Sequence, residues 1–156
     1  MAESAPICFE MGLYRATLPV HLRYSDIHFW FEPVPVATGE TPRTRVGLSS
    51  YAARLLSDVY RLEWSVKAGE LISEAQALGE IESTKASSEL YSPMAGKLLA
   101  INEAMAKDPD PLSLDPYKAW LLEFEGTPAS SMDVHEYRKF LEDGWDETQK
   151  MLKGQM

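Results

Sequence analysis

The sequence contains one cysteine, Cys8, and only three histidines. A single cysteine allows neither an internal disulfide nor a cysteine metal cluster, so the chain has no thiol pair of its own for redox chemistry. The three histidines, His21, His28 and His135, do not have the spacing that is typical of zinc ligands. The sequence therefore predicts no metal site.

Motifs of catalysis and of membrane insertion are also missing. The chain has no glycine-rich phosphate loop, no Gly-x-Ser-x-Gly elbow and no linked pattern of serine, histidine and aspartate. No apolar run is long enough to span a bilayer, and the N-terminus lacks a basic segment followed by an apolar stretch. We expect a non-catalytic protein with no membrane partner, located in the cytoplasm.

Positive charge is scarce, because 24 acidic residues stand against 15 lysines and arginines and give a net charge of −9. Such a charge disfavours binding to nucleic acid and to anionic membranes, and it favours basic partners. The hydrophobic share of 45% in 156 residues is enough for one folded domain with a core. We expect the protein to be a monomer.

Short segments rich in alternating or β-branched residues, separated by glycine and proline, predict a mainly β protein. Strands are expected within 22–36, at 44–48, 58–64, 71–80, 97–102 and 120–125, and short helices at 51–56 and 102–107. Ser49 or Ser50 can cap the first of these helices, and prolines at 109 and 111 end the second. Residues 1–21 form an N-terminal extension, in which Pro6, Gly12 and Pro19 interrupt any helix.

The C-terminal part, 126–156, is predicted to be a linker followed by an amphipathic helix that ends near residue 153. Its apolar side chains recur at helical spacing: Tyr137, Phe140, Leu141, Trp145, Thr148 and Leu152. An apolar helix face of this size is normally buried, so we expect it to pack on the domain. Docking of a partner protein is the alternative.

Lys85 lies between two apolar, alternating segments and has acidic residues on both sides. A β-hairpin holds such a side chain at its tip while the strands behind the tip bury their apolar residues. The residues expected to be buried are Leu78, Ile81, Leu90, Met94 and Leu98. We therefore expect Lys85 to display an attached group on a swinging arm. The alternative, a nucleophilic lysine, normally requires burial or a cationic neighbour, and the surrounding sequence is small, polar and acidic.

The segment from Glu82 to Gly96 resembles the lipoyl attachment segment of the glycine cleavage H-protein family, whose pattern is Glu-Ser-x-Lys-Ala-x-Ser-Asp/Glu-Leu-Tyr-Ser-Pro-x-x-Gly. Segments 46–52, 67–70, 102–104 and 115–121 are similar to further segments of that family. The resemblance covers residues 22–125, which we treat as an H-protein-like lipoyl domain. It implies a lipoyl-domain-like β-sandwich or hybrid barrel with short peripheral helices and a C-terminal helix.

The resemblance also implies a cofactor, lipoic acid, joined to Lys85 through an amide. This modification removes one positive charge and creates a long, flexible, redox-active arm. Glu82 and Glu89 would belong to the surface that a lipoylating enzyme reads. The alternative is that both belong to a solvated acidic rim with no specific role.

Three features depart from the pattern of the glycine-cleavage carriers. The chain has Phe29 between His28 and Trp30 where those carriers read His-Glu-Trp, it lacks the usual glycine-containing segment between Tyr117 and Trp120, and it has terminal extensions. The extensions resemble H-protein-like lipoate-binding proteins of bacterial sulfur oxidation, which serve a heterodisulfide-reductase-like complex. We therefore expect an arm that shuttles sulfur. One alternative is an H-protein that carries an aminomethyl group between glycine cleavage enzymes. The other is an unmodified adaptor, which the intact attachment segment disfavours.

Overall fold

The computed structural model describes residues 5–154, which form eleven β-strands and four α-helices. Their bounds in chain order are β1 (Ile7–Met11), β2 (Tyr14–Leu18), β3 (Arg23–Tyr24), β4 (Phe29–Val34), β5 (Arg43–Leu48), α1 (Ser50–Leu56), β6 (Val59–Trp64), β7 (Leu71–Ile72), β8 (Ala77–Ser83), β9 (Ser87–Tyr91), β10 (Gly96–Ile101), α2 (Glu103–Lys107), α3 (Pro111–Leu114), β11 (Leu122–Glu125) and α4 (Val134–Gly154).

The strands form antiparallel sheets that enclose one main core. A six-stranded sheet has the order β3-β4-β5-β11-β10-β7, and a three-stranded sheet has the order β6-β8-β9. Side chains of both sheets meet in one buried cluster, with Phe31 and Val46 from the first sheet and Leu62 and Ile81 from the second. The predicted class, a β-sandwich with short peripheral helices and a C-terminal helix, is confirmed.

The N-terminal extension, of which residues 5–21 are described, contains a β-hairpin. β1 pairs with β2, and the connection between Met11 and Tyr14 places Gly12 at a φ of 66°. A residue with positive φ is what such a tight hairpin turn requires, and glycine adopts it without strain. Phe9 and Met11 alternate toward the interior and belong to a second buried cluster, which α4 completes.

The C-terminal helix α4 packs on the domain, as its pattern of apolar residues predicts. Tyr137 and Leu141 are fully buried, and Trp145 packs against the second cluster while remaining partly accessible. Phe140 differs from the prediction, since 39% of it is exposed. Leu152 lies outside the residues whose side chains the structure describes. Among the side chains of α4 that the structure describes, those in its first half are the most deeply buried.

The prediction of a single strand at 71–80 is wrong. β7 ends at Ile72 and β8 begins at Ala77, and in the turn between them Ala75 has a φ of 68°. A strand cannot continue through that backbone region, so the two strands enter different sheets.

Pro111 also behaves differently from the prediction. It begins α3 rather than only ending a helix, because the first turn of a helix does not need its missing N–H.

Candidate functional site

Lys85 lies in the connection between β8 and β9, at the tip of a hairpin, and is exposed. The buried residue Ser83 holds this connection in place. Its backbone N–H donates to the carbonyl of Ala86 at 2.8 Å, and its Oγ accepts from the backbone N–H groups of Ala86 at 3.1 Å and Lys85 at 3.3 Å. The backbone N–H of Thr84 donates to the carbonyl of Asp58 at 3.0 Å. The tip is thus fixed, while the lysine side chain extends into solvent.

The base of the hairpin is rigid, because β8 is the central strand of its sheet and packs on the main core. All five apolar residues predicted to lie behind the tip are buried: Leu78, Ile81, Leu90, Met94 and Leu98. Gly79 is required by this packing, since a Cβ at that position would lie 2.2 Å from the carbonyl oxygen of Glu63 on β6. The alternation of apolar residues around Lys85 therefore reflects the burial of these side chains in the main core.

Acidic side chains cover the outer face of the same sheet. Glu63, Glu80 and Glu89 occupy one row across β6, β8 and β9. Like charges placed directly opposite one another on a sheet are destabilising, so this row costs stability unless cations balance it. Arg61 supplies a balancing charge, because its guanidinium forms ion pairs with Glu63 and with Glu80, the latter at 3.8 Å. It also donates to Glu82 Oε1 at 2.7 Å. Glu63, followed by Glu82, raises the pKa of Arg61.

The structure places the two glutamates of the predicted recognition surface on the two strands of the lysine hairpin, with different partners. Glu82 precedes the tip and is held by Arg61, so its carboxylate has a fixed orientation. Glu89 is exposed on β9 and accepts a hydrogen bond from the Tyr91 hydroxyl at 3.0 Å. This bond is the main cause of the raised pKa of Tyr91. Sequence reasoning missed Arg61, although its position two residues before Glu63 in an alternating strand indicates a shared face.

A cleft of about 310 Å³ opens beside the hairpin. It begins at Ala86 and Ser88, which follow the tip, and continues past the apolar face of α1. Ile27 and His28, which precede β4, form a further wall, and Thr148 of α4 lies at its edge. Most of the remaining lining is apolar, with side chains from β4, β5, β8 and β9, and Glu89 adds one carboxylate. The cleft is therefore suited to an aliphatic chain that enters from the hairpin.

His28 is a half-buried titratable residue in the wall of this cleft. Burial lowers its pKa to about 4, although nearby Asp26 opposes the shift, so the ring is neutral at ordinary pH. Its Nδ1 lies 2.9 Å from the hydroxyl of Tyr137, which is in turn 2.8 Å from Ser49 Oγ. Burial also raises the pKa of Tyr137. Sequence reasoning considered His28 as a metal ligand and as part of the segment 28–30 that departs from the family pattern, and it missed this role.

Within residues 5–154, no group of three or more histidine, cysteine, aspartate or glutamate side chains converges in a way that could hold a metal ion. None of the helices in that range combines the length and hydrophobicity needed to cross a bilayer.

Comparison with known proteins gives a consistent result. A sequence model described as glycine cleavage H-protein matches residues 22–145. The glycine cleavage system H protein of Nocardia farcinica is 38% identical over 120 residues, which cover 76% of this chain and 86% of that protein. The corresponding protein of Corynebacterium jeikeium is 36% identical over 123 residues, covering 78% and 94%. The crystal structure of a glycine cleavage system H protein from Mycobacterium marinum superposes with a TM-score of 0.68 at 29% identity, covering 81% of this chain and 98% of that one.

Proposed function

The chain belongs to the glycine cleavage H-protein family, and we propose that it carries an aminomethyl group between glycine cleavage enzymes on a lipoyl arm attached to Lys85. Proteins of this family are lipoyl carriers shared between enzymes rather than catalysts. The observation that carries the proposal is the position of Lys85, exposed at the tip of a hairpin whose base is buried in the core. Such a base keeps the attachment point fixed while the arm moves.

The relatives favour the glycine-cleavage alternative over the sulfur-oxidation branch that the terminal extensions suggest. The matching relatives are named as glycine cleavage system H proteins, and the aligned regions cover 86% and 94% of two of them. A heterodisulfide-reductase-like partner therefore has no support from these relatives. The glycine cleavage enzymes are the partners that we propose.

The residues around Lys85 fit a lipoyl group. The amine is exposed, so an enzyme can reach it, and amide formation would cost no buried contact. When attached, the group supplies a dithiolane that alternates between a disulfide and a dithiol. The cleft starts one residue beyond the lysine, at Ala86, and its apolar side chains match the aliphatic part of the arm. We propose that this cleft receives the arm between visits to partner enzymes.

The neutral ring of His28 makes the cleft suitable for an apolar occupant. A charged imidazolium would keep water in the cleft, whereas burial holds the ring in its uncharged form. Its Nδ1 is already engaged by Tyr137, which fixes the orientation of the ring. The chain thus contributes an apolar surface with a few fixed polar atoms, which is the usual character of a small-molecule site.

Glu82 and Glu89 remain our candidates for recognition by the lipoylating enzyme. Because Arg61 holds Glu82, that carboxylate presents a fixed acceptor beside the tip. Glu89 lies on the other strand of the hairpin and is exposed. Together with the net charge of −9, they would steer the hairpin toward basic enzyme entrances.

The test is the mass of the Lys85-containing peptide from protein purified from its native cells without reductant. We expect a lipoyl adduct on Lys85, its loss in a Lys85→Arg variant, and its retention in the matched control Lys97→Arg, which changes another exposed lysine. An unmodified Lys85 would refute the carrier proposal and favour the alternative of an unmodified adaptor. Lipoylated protein incubated with glycine and its decarboxylase should gain the mass of an aminomethyl group, and sulfur atoms on the arm of the native protein would instead indicate the sulfur-oxidation branch.

A further inference from the structure

The wall of the cleft includes one residue from a distant part of the chain, Thr148 of α4. Its Oγ1 accepts a hydrogen bond from the hydroxyl of Tyr51 on α1 at 3.2 Å and donates to the carbonyl of Gly144 at 3.2 Å. The cleft therefore has its described shape only while this turn of α4 lies against α1. What holds that turn in place decides how open the cleft is.

The first half of α4 is anchored by the buried residues Val134, Tyr137 and Leu141. The next turn is anchored differently, through the partly accessible ring of Trp145. That ring meets the edge of Phe9 with centroids 5.5 Å apart and an interplanar angle of 89°, and it lies 6.3 Å from Tyr51. Among the side chains that the structure describes, Trp145 anchors the turn that carries Thr148, and it does so through aromatic contacts.

Phe9 is the centre of this arrangement. Only 4% of it is exposed, and it makes edge contacts with both Trp145 and Tyr51, the latter at 5.8 Å. It belongs to β1, in the N-terminal hairpin, whereas the match to the family model begins at residue 22. The part of the chain that precedes the matched region therefore contacts the helix turn that borders the cleft.

We propose that the β1–β2 hairpin sets the width of the cleft, with Phe9 as a positioning residue that acts through Trp145 and Tyr51 on Thr148. The inference rests on the proposed function, since it concerns the cleft that receives the arm. While Phe9 is in place, Thr148 stays against α1 and the arm is sheltered. Without Phe9, the turn detaches and solvent reaches the dithiolane.

The test compares Phe9→Ala with Met11→Ala, a matched control in the same strand and the same buried cluster. Trp145→Ala approaches the same contact from the helix and changes a less buried side chain, so it serves if Phe9→Ala fails to fold. The first measurement is amide hydrogen exchange at 144–149 in the unmodified protein. Each of the two variants loses two aromatic pairs, so exchange there should speed up by about fivefold or more.

The second measurement is the rate at which a water-soluble phosphine reduces the dithiolane of the lipoylated protein. We expect faster reduction in Phe9→Ala and Trp145→Ala, wild-type rates in Met11→Ala, and partial recovery in Phe9→Leu, which restores volume at position 9. The double variant of Phe9 and Trp145 should be faster by less than the product of the two single effects, because both single variants remove the Phe9–Trp145 contact.

Unchanged exchange at 144–149 in Phe9→Ala or Trp145→Ala would overturn the positioning role. Faster exchange with an unchanged phosphine rate would overturn the link to the arm, as would equal acceleration in Met11→Ala. Failure of the proposed function has a different signature, namely an unmodified Lys85 in the mass spectrum. The exchange measurement still decides the positioning role of Phe9 in that case.

Discussion

His28 should make the stability of this protein depend on pH in the mildly acidic range. Burial lowers its pKa from 6.5 to about 4, so the folded state resists protonation where the unfolded state accepts it. The stability that this histidine contributes is complete above its ordinary pKa, and it is lost as pH falls from about 6.5 toward 4. At about 1.4 kcal/mol for each pKa unit, the full effect is about 3 kcal/mol.

The perturbation that isolates this effect is His28→Asn. The backbone at His28 has a φ of 71°, a conformation that asparagine tolerates better than most residues, and the amide does not titrate. Urea unfolding at about pH 7 and about pH 4.5 gives the free energy of unfolding at each pH. Between these pH values the wild type should lose about 2 kcal/mol more than the variant, because carboxylates common to both proteins cancel in the comparison.

The matched control is His21→Asn, which changes an exposed histidine next to Glu32. We expect this control to lose as much stability in acid as the wild type does. An equal loss in wild type and His28→Asn would refute the reasoning, since it would mean that His28 titrates alike in the folded and unfolded states.

Three further predictions have definite expected outcomes, and the third includes a matched control. Lys85→Arg should change the free energy of unfolding by no more than about 0.5 kcal/mol, because the side chain is exposed. A large drop of the melting temperature would contradict its position at the tip. Tyr137→Phe should destabilise the fold by about 1–3 kcal/mol in urea unfolding, since buried Ser49 and half-buried His28 each lose a hydrogen-bond partner. An unchanged midpoint would refute this. Gly79→Ala should reduce stability strongly, because its Cβ would lie 2.2 Å from the Glu63 carbonyl oxygen. Its control Gly144→Ala, with open space around it, should raise stability by up to about 1 kcal/mol. Equal melting curves for the two variants would contradict the packing at Gly79.

The hairpin around Lys85 could be predicted because its signals are local. Alternation of apolar residues on β8 and β9 depends only on the period of a strand, and the residues that it assigned to the interior, such as Ile81 and Leu90, are buried. The N-terminal hairpin has a similar local signal in the sequence. Phe9 and Met11 alternate before Gly12, in the manner of a strand that enters a tight turn.

The break in the strand at 71–80 could not be predicted, because distant backbone groups impose it. The backbone N–H of Ala75 donates to the carbonyl of Ser92 at 2.9 Å, and the backbone N–H of Ser92 donates to the carbonyl of Gln76 at 2.8 Å. These bonds hold an alanine at positive φ, a conformation that its sequence neighbours do not indicate.

The cleft is non-local in the same way. Its walls come from the segment before β4, from α1, from the lysine hairpin and from Thr148, which are far apart in sequence. The neutral state of His28 follows from burial in that assembly, so a sequence pattern could not reveal it. A site of this kind becomes visible only when the packing of the elements is known.

The edges of the two larger sheets bear on how the protein avoids aggregation. The six-stranded sheet ends in β3 and β7, which are only two residues long, and β9 at the edge of the three-stranded sheet carries the exposed polar residues Ser87, Ser88 and Glu89. Short and charged edge strands discourage the addition of a strand from another molecule. A carrier that must meet several enzymes can therefore present the lysine hairpin openly without polymerising through the backbone of that hairpin.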